Sequence, residues 1–192
     1  GRIVALVSPT GLRTSYSYDA CGRMVDVTDP AGRVTRYSYT SDFQVATVTY
    51  PTGETARYEY DAMGRVVLSH VPGAGVSQYR YDPCGRLVFS CDLVYGQRHF
   101  SYDLAGQLVA ATNPAGGVSR YGYDRCGRLV TRTDPGGGLT TYQYNECGQM
   151  IAATDPLGRV TEYTWDKSGT LAAITRPDGT VVSRRLGPKG VE

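Results

Sequence analysis

Apolar and polar positions alternate in short stretches along this chain. Thr14, Tyr16 and Tyr18 fall on one side of an extended backbone, with Arg13, Ser15 and Ser17 on the other. Thr140, Tyr142 and Tyr144 repeat the pattern. One unit is clearest over residues 21–42. Gly22-Arg23 opens the stretch Met24-Val25-Asp26-Val27-Thr28, Asp29-Pro30-Ala31-Gly32 interrupts it, and Arg33-Val34-Thr35-Arg36-Tyr37-Ser38-Tyr39 follows. Each half is about 7 residues long, an ordinary strand length. Both interruptions have turn chemistry. In Asp29-Pro30-Ala31-Gly32, Asn113-Pro114-Ala115-Gly116 and Asp155-Pro156-Leu157-Gly158, the Asx side chain can bond its own backbone, Pro presets φ, and Gly accepts a left-handed conformation. In Tyr18-Asp19-Ala20-Cys21-Gly22 the Asp and Gly do the same. Strand, turn and strand with no helical crossover predict antiparallel hairpins.

The hairpin recurs at a fixed step. Counting by 21 from Tyr18 reaches Tyr39, Tyr60, Tyr81, Tyr102, Tyr123, Tyr144 and Trp165. A proline ladder at the same step runs from Pro9 to Pro177 and misses only at Leu93. A glycine ladder from Gly1 to Gly190 misses only at Phe43. Self-similarity at such a period marks a repeat architecture. The expected fold is all-β: a single array over residues 1–192, about nine repeats, forming one long antiparallel sheet. Each repeat should advance roughly 10 Å, twice the strand spacing. The expected total of about 17 strands exceeds the ~10 that an open twisted sheet tolerates, so the sheet is expected to curl into a spiral wall or barrel. Gly1 and Gly190 share a phase, so the chain is expected to be a section of a longer repeat protein.

Two positions break the pattern. Between Phe89 and His99 the Pro and Gly phases become Leu93 and Tyr95, and Gly96 comes one position late, so this hairpin should be the most irregular. At Phe43 the glycine phase is already lost, so a valine there is expected to cost much less than at Gly127.

Composition agrees with β structure: 24 Gly and 16 Tyr stand against 3 Phe, 1 Trp and 2 His. The net charge is +2, from 20 basic and 18 acidic residues interspersed along the chain, which is not the basic footprint of a nucleic-acid binder. No apolar run approaches the ~18 residues of a spanning helix, so no membrane insertion is expected.

The motif Tyr-x-Tyr-Asp-x-x-Gly-Arg stands complete in four places. These are Tyr16, Tyr18, Asp19, Gly22 and Arg23; Tyr58, Tyr60, Asp61, Gly64 and Arg65; Tyr79, Tyr81, Asp82, Gly85 and Arg86; and Tyr121, Tyr123, Asp124, Gly127 and Arg128. Looser copies begin at Phe100, Tyr142 and Tyr163, and Thr40-Ser41-Asp42-Phe43 is a copy without Asp or Gly in phase. This motif resembles the YD repeat of the Rhs family, which includes bacterial polymorphic toxins, the C components of insecticidal toxin complexes and animal teneurins. The resemblance covers essentially the whole chain. It implies a β-sheet spiralling into a hollow shell, which encloses a C-terminal toxin in the bacterial members and serves adhesion at the cell surface in teneurins. The Rhs core that closes such shells carries catalytic aspartates for self-cleavage. The nearest string here, Asp155-Pro156-Leu157-Gly158-Arg159, sits at the ordinary turn phase and reads as a turn.

Other chemistry is sparse. Cys21, Cys84, Cys126 and Cys147 each precede a turn Gly, and no CxxC pair supplies zinc spacing. Equivalent cysteines one repeat apart stand roughly 10 Å from each other, beyond the ~7 Å Cα limit of a disulfide, so free thiols are expected. His70 and His99 occupy different phases and read as strand residues. Asp19, Asp61, Asp82, Asp103, Asp124 and Asp166 form a carboxylate ladder, which turn bonding explains without calcium. No catalytic set, metal or cofactor is expected. Tyrosine rings at equivalent positions of adjacent hairpins are expected to pack on one another and cover the sheet, with sugar binding as the competing reading. The expected role is therefore a structural shell segment that encloses or presents a C-terminal toxin or effector, and the alternative is an extracellular carbohydrate- or protein-binding adhesion module. Its partner would be the rest of its own polypeptide, with a secretion apparatus and glycans as further candidates. The parent protein would be made in the cytoplasm and then secreted or displayed at the cell surface.

Overall fold

A computed structural model describes residues 1–183 of the chain. It is all-β: eighteen antiparallel strands in one sheet among the described residues, with no helix. The strands fall into two compact units, the first ending at Arg98 and the second beginning at His99. The first unit contains β1 (Ala5–Val7), β2 (Arg13–Tyr18), β3 (Met24–Thr28), β4 (Val34–Tyr39) and β5 (Val45–Thr49). It continues with β6 (Thr55–Tyr60), β7 (Val66–Val71), β8 (Gly75–Tyr81) and β9 (Leu87–Asp92). In the second are β10 (Gly96–Tyr102), which begins just before the boundary, β11 (Leu108–Thr112), β12 (Val118–Tyr123), β13 (Leu129–Thr133) and β14 (Leu139–Tyr144). It ends with β15 (Met150–Thr154), β16 (Val160–Trp165), β17 (Leu171–Thr175) and β18 (Val181–Ser183). Within each unit every strand pairs with the next in sequence, as the hairpin reading requires. Gly190, which carries the glycine phase onward, lies outside the described residues.

Two kinds of hairpin alternate, and their turns lie at opposite ends of the strands. The first kind, such as β2–β3, pairs Ser15 with Thr28, Tyr16 with Val27, Ser17 with Asp26 and then Tyr18 with Met24. Val25 is left over as a β-bulge, and the shift recurs beside Tyr39, Tyr60, Tyr81, Tyr102, Tyr123, Tyr144 and Trp165. A bulge places one extra residue on one strand and re-aims its neighbours. The second kind, such as β3–β4, pairs only Asp26 with Arg36, Val27 with Thr35 and Thr28 with Val34. It leaves Met24 and Val25 unpaired with β4.

The turns form as the sequence indicates. Gly22 has φ +85° and its N–H donates to the Asp19 carbonyl at 2.9 Å, while the Asp19 N–H donates to the Arg23 carbonyl at 2.9 Å. This is a type I turn closed by a left-handed residue. The Pro turns at residues 29–33 and 155–159 use the same bonds.

Two expectations gain a physical reason. Phe43 keeps the left-handed conformation, at φ +65°, and Thr40 stands in for the missing Asp, its Oγ1 accepting the Gln44 N–H at 3.2 Å. The turn geometry is therefore fixed by the repeat and not by its glycine: Phe43 already bears the left-handed strain, so a valine there adds little of it, whereas Gly127→Val introduces it. The hairpin after Phe89 departs from the common turn as expected, and the hairpin before it departs as well. Where the phase has Ala74, the chain instead makes a type II turn: Pro72 presets φ, Gly73 sits at φ +80°, and the Ala74 N–H donates to Val71 O at 3.0 Å. At residues 92–96 the left-handed position moves to Gly96, and Asp92 Oδ1 accepts from the N–H groups of Val94 and Tyr95. Neither Ala74 nor Tyr95 takes positive φ. The left-handed residue shifts to wherever a glycine is available.

Packing is thin. Ala56 and Phe89 are the buried hydrophobic residues and Ser69 the buried polar one among the described residues. Most strand side chains are half-buried, as in a sheet without a second layer over either face.

Candidate functional site

The motif residues converge at one end of the strands, on the rim formed by the Asp-x-x-Gly-Arg turns. Asp19 Oδ1 accepts the Arg23 N–H at 2.8 Å and its Oδ2 accepts Arg23 Nε at 2.7 Å. Asp61 with Arg65, Asp82 with Arg86, and Asp124 with Arg128 make the same two-pronged clamp. Each carboxylate is thus spent on the turn that follows it. The Arg23 backbone N–H and then its guanidinium hold Asp19 below the ordinary carboxylate range, against the opposing pull of desolvation. Asp82 and Asp124 are lowered by the same causes, and at Asp61 the Arg65 side chain acts first.

The second tyrosine of the motif has a separate task. Tyr18 Oη donates to the Ile3 carbonyl at 2.7 Å, Tyr39 to Met24 at 2.6 Å and Tyr60 to Val45 at 2.8 Å. Tyr81 reaches Val66 at 3.0 Å, Tyr123 reaches Leu108 at 2.9 Å and Tyr144 reaches Leu129 at 2.8 Å. Trp165 keeps the arrangement with its indole, Nε1 donating to Met150 at 2.8 Å. Each acceptor is the residue after the Arg position one repeat earlier, where the short second hairpin leaves a carbonyl beyond its ladder. The aromatic donor therefore replaces a backbone bond that the register cannot form. Burial raises the Tyr39 and Tyr123 hydroxyls above their ordinary pKa, consistent with fixed donors.

Arginine closes the unit. Arg23 lies over the Tyr39 ring at 4.9 Å, Arg65 over Tyr81 at 4.7 Å and Arg128 over Tyr144 at 5.0 Å. Sequence reasoning placed these rings against one another. The structure instead places over each of these three the guanidinium of the preceding repeat. It also missed the tyrosine-to-carbonyl bond, although two signals were present. The second aromatic is always Tyr or Trp, both donors, whereas the first is Phe at Phe100. The bulge was legible in adjacent apolar pairs such as Met24-Val25, Leu129-Val130 and Met150-Ile151, which break the alternation.

The first tyrosine behaves differently. Among the described residues, the hydroxyls of Tyr37 and Tyr58 make no hydrogen bond to the protein, and both rings border a shallow depression of about 310 Å³ with Val45, Val48, Tyr60 and Val66. The five cysteines are free, and four of them lie exposed at the turns. Among the described residues no group of His, Cys, Asp and Glu side chains is arranged to hold a metal.

Solved structures share this fold. The chain superposes on the crystal structure of TcdB2-TccC3-TEV with a TM-score of 0.71 and 18% identity, covering 93% of this chain and 11% of that one. For TcdB2-TccC3 without its hypervariable C-terminal region the values are 0.72 and 19%, over 92% and 11%. For the Photorhabdus luminescens Tc holotoxin pore carrying a TccC3 mutation they are 0.59 and 15%, over 92% and 12%. The chain therefore spans about a tenth of the length of these solved chains. No curated protein matches it. The Teneurin YD-shell family matches residues 12–180, nearly all of the hairpins described above, and the chain belongs to that family.

Proposed function

We propose that this chain is a non-enzymatic length of shell wall, which encloses or presents a toxin or effector segment of its own polypeptide. The observation that carries this reading is the internal use of the motif's chemistry. Asp, Arg and the second Tyr are all bound to one another or to backbone, so the groups that recur in each repeat serve to continue the sheet. Containment of this kind is steric: a β-wall keeps a passenger from the cytoplasm until delivery, and no single residue performs the task. The wall would curl, because both faces of a thin sheet otherwise stand in water. The parent protein would act after secretion or at the cell surface, with the remainder of the shell as its partner. The test is limited proteolysis of the full parent protein. The passenger should resist digestion in the wild type and also in Tyr123→Ala, which loses stability alone. A passenger digested as fast as an unfolded peptide in the wild type would reject containment.

A second reading is favoured by the unspent hydroxyls of Tyr37 and Tyr58. A row of phenols on one face suits a glycan- or protein-binding adhesion module. Glycan-array binding that disappears in a folded Tyr58→Phe variant would replace containment with recognition.

A further inference from the structure

The backbone ladder that joins successive hairpins stops short of both rims. On the Asp-Gly-Arg rim, β3 and β4 part after Asp26 and Arg36. On the Pro rim, β4 and β5 part after Arg36 and Thr49. The two rims are finished differently. On the Asp-Gly-Arg rim a long polar side chain crosses the gap to the next turn at three places. Gln44 Nε2 donates to Gly64 O at 2.7 Å, Arg65 Nη1 to Asp82 O at 3.3 Å and Arg128 Nη1 to Asn145 O at 3.2 Å. Arg23 meets its next turn by stacking on the Phe43 ring at 5.1 Å. The turn glycines leave room for these heads: a Cβ at Gly64 would stand 2.9 Å from Gln44 Nε2, and one at Gly127 2.9 Å from Gln107 Nε2. With the bonds from Tyr60, Tyr81 and Tyr144 to carbonyls of the preceding repeat, these three gaps are closed twice.

The Pro rim lacks such crossings. Among the described residues no hydrogen bond joins one Pro-type turn to the next. Added Cβ atoms at Gly32, Gly53, Gly116 and Gly158 would meet nothing within 4 Å. Neighbouring turns there meet only through van der Waals contact, as where Pro135 borders Gly117 and Pro156 borders Gly138. The clamp arginines show the same contrast. Side-chain exposure is 28% at Arg23 and 30% at Arg128, against 69% at Arg33 and 62% at Arg159.

We infer that the sheet is a one-sided hinge: the Asp-Gly-Arg rim is a stitched rail that holds successive repeats at fixed spacing, and the wall opens by splaying along the Pro rim. The stitch residue is the Arg or Gln at the close of the motif, as at Gln44, Arg65 and Arg128, and its head acts on the following repeat. This inference concerns the sheet alone and stands apart from what the wall encloses.

The molecule contains its own matched control. The turns at residues 61–65 and 29–33 both carry an Asp–Arg clamp and a glycine N–H donating to the Asp carbonyl at 2.9 Å, yet only the first receives a stitch, from Gln44. Amide hydrogen exchange on the full chain should therefore find Gly32 N–H exchanging roughly two- to tenfold faster than Gly64 N–H, the range one net hydrogen bond supplies. Gln44→Ala should raise exchange at Gly64 toward the Gly32 rate and leave Gly32 unchanged. Arg65→Ala should do the same at Gly85 relative to Gly53, which provides a second site should the first variant fold poorly. Equal exchange at the two rims in the wild type, or stitch variants that leave their target amides unmoved, would overturn the inference.

Discussion

At the residue scale, the repeat imposes a backbone that its sequence must then accommodate. Among the described residues seventeen glycines take positive φ, and Phe43 takes it as well. Gly127→Val should cost on the order of 1–3 kcal/mol, because a β-branched residue resists this region and would also crowd Gln107. Phe43→Gly compared with Phe43→Ala isolates the conformational part, since both lose the ring under Arg23. The glycine variant should be more stable by about 1 kcal/mol, read from matched melting curves. The clamped aspartates set the response to acid. Asp19, Asp29, Asp61, Asp82, Asp124 and Asp155 all titrate below the ordinary 3.8 in the folded chain. A lowered folded pKa contributes stability that is present above the unfolded value and is lost as pH falls through the folded one. Thermal stability should therefore hold from pH 7 to about 5 and decline only below about 4. A transition near pH 6 in melting curves would contradict these clamps.

At the element scale, the two tyrosines of each motif are not equivalent, although they lie two residues apart on one strand. Tyr144→Phe should cost about 1 kcal/mol, because the Leu129 carbonyl loses its donor. Tyr58→Phe should be nearly neutral, its hydroxyl having no protein partner to lose. Denaturant midpoints of the two variants separate the roles, and equal losses would remove the distinction. Trp165→Tyr should retain the bond to Met150 and Trp165→Phe should lose it. The strands show the same division of labour. The longer hairpin pairing carries the bulge, and the shorter one leaves the carbonyl that the aromatic residue then satisfies.

At the scale of the whole molecule, each repeat depends mainly on its neighbours, so stability is close to a sum of repeat and interface terms. Deleting residues 108–128 removes one period and rejoins Gln107 to Leu129, reproducing the Gln-Leu junction already present. That variant should fold cooperatively with modest loss. Deleting residues 108–117 removes about half a period, places a Pro-type turn's partner strand on the wrong rim and should abolish the cooperative transition. Circular dichroism melts of both variants check this, and similar behaviour of the two would mean that phase does not govern the fold.

The hairpins, their period, both turns and the antiparallel order were legible in the sequence, because alternation, Pro, Gly and Asx act locally and every repeat states them again. The rim clamp was half legible: the spacing of Asp19 to Arg23 was visible, and the turn bond to Asp19 followed from it. What the spacing could not show is that Arg23 also serves Tyr39 and Phe43, since residues 16 to 20 positions apart meet only after the sheet has formed. The ability of Phe43 to hold a glycine's conformation was likewise decided by structure, because neighbouring hairpins on both sides fix that turn. The sequence by itself determined a sheet of repeated hairpins, since that rests on short-range preferences. Only the tertiary arrangement decided which rim is stitched, since that rests on side chains long enough to cross the gap that the register leaves between one hairpin and the next.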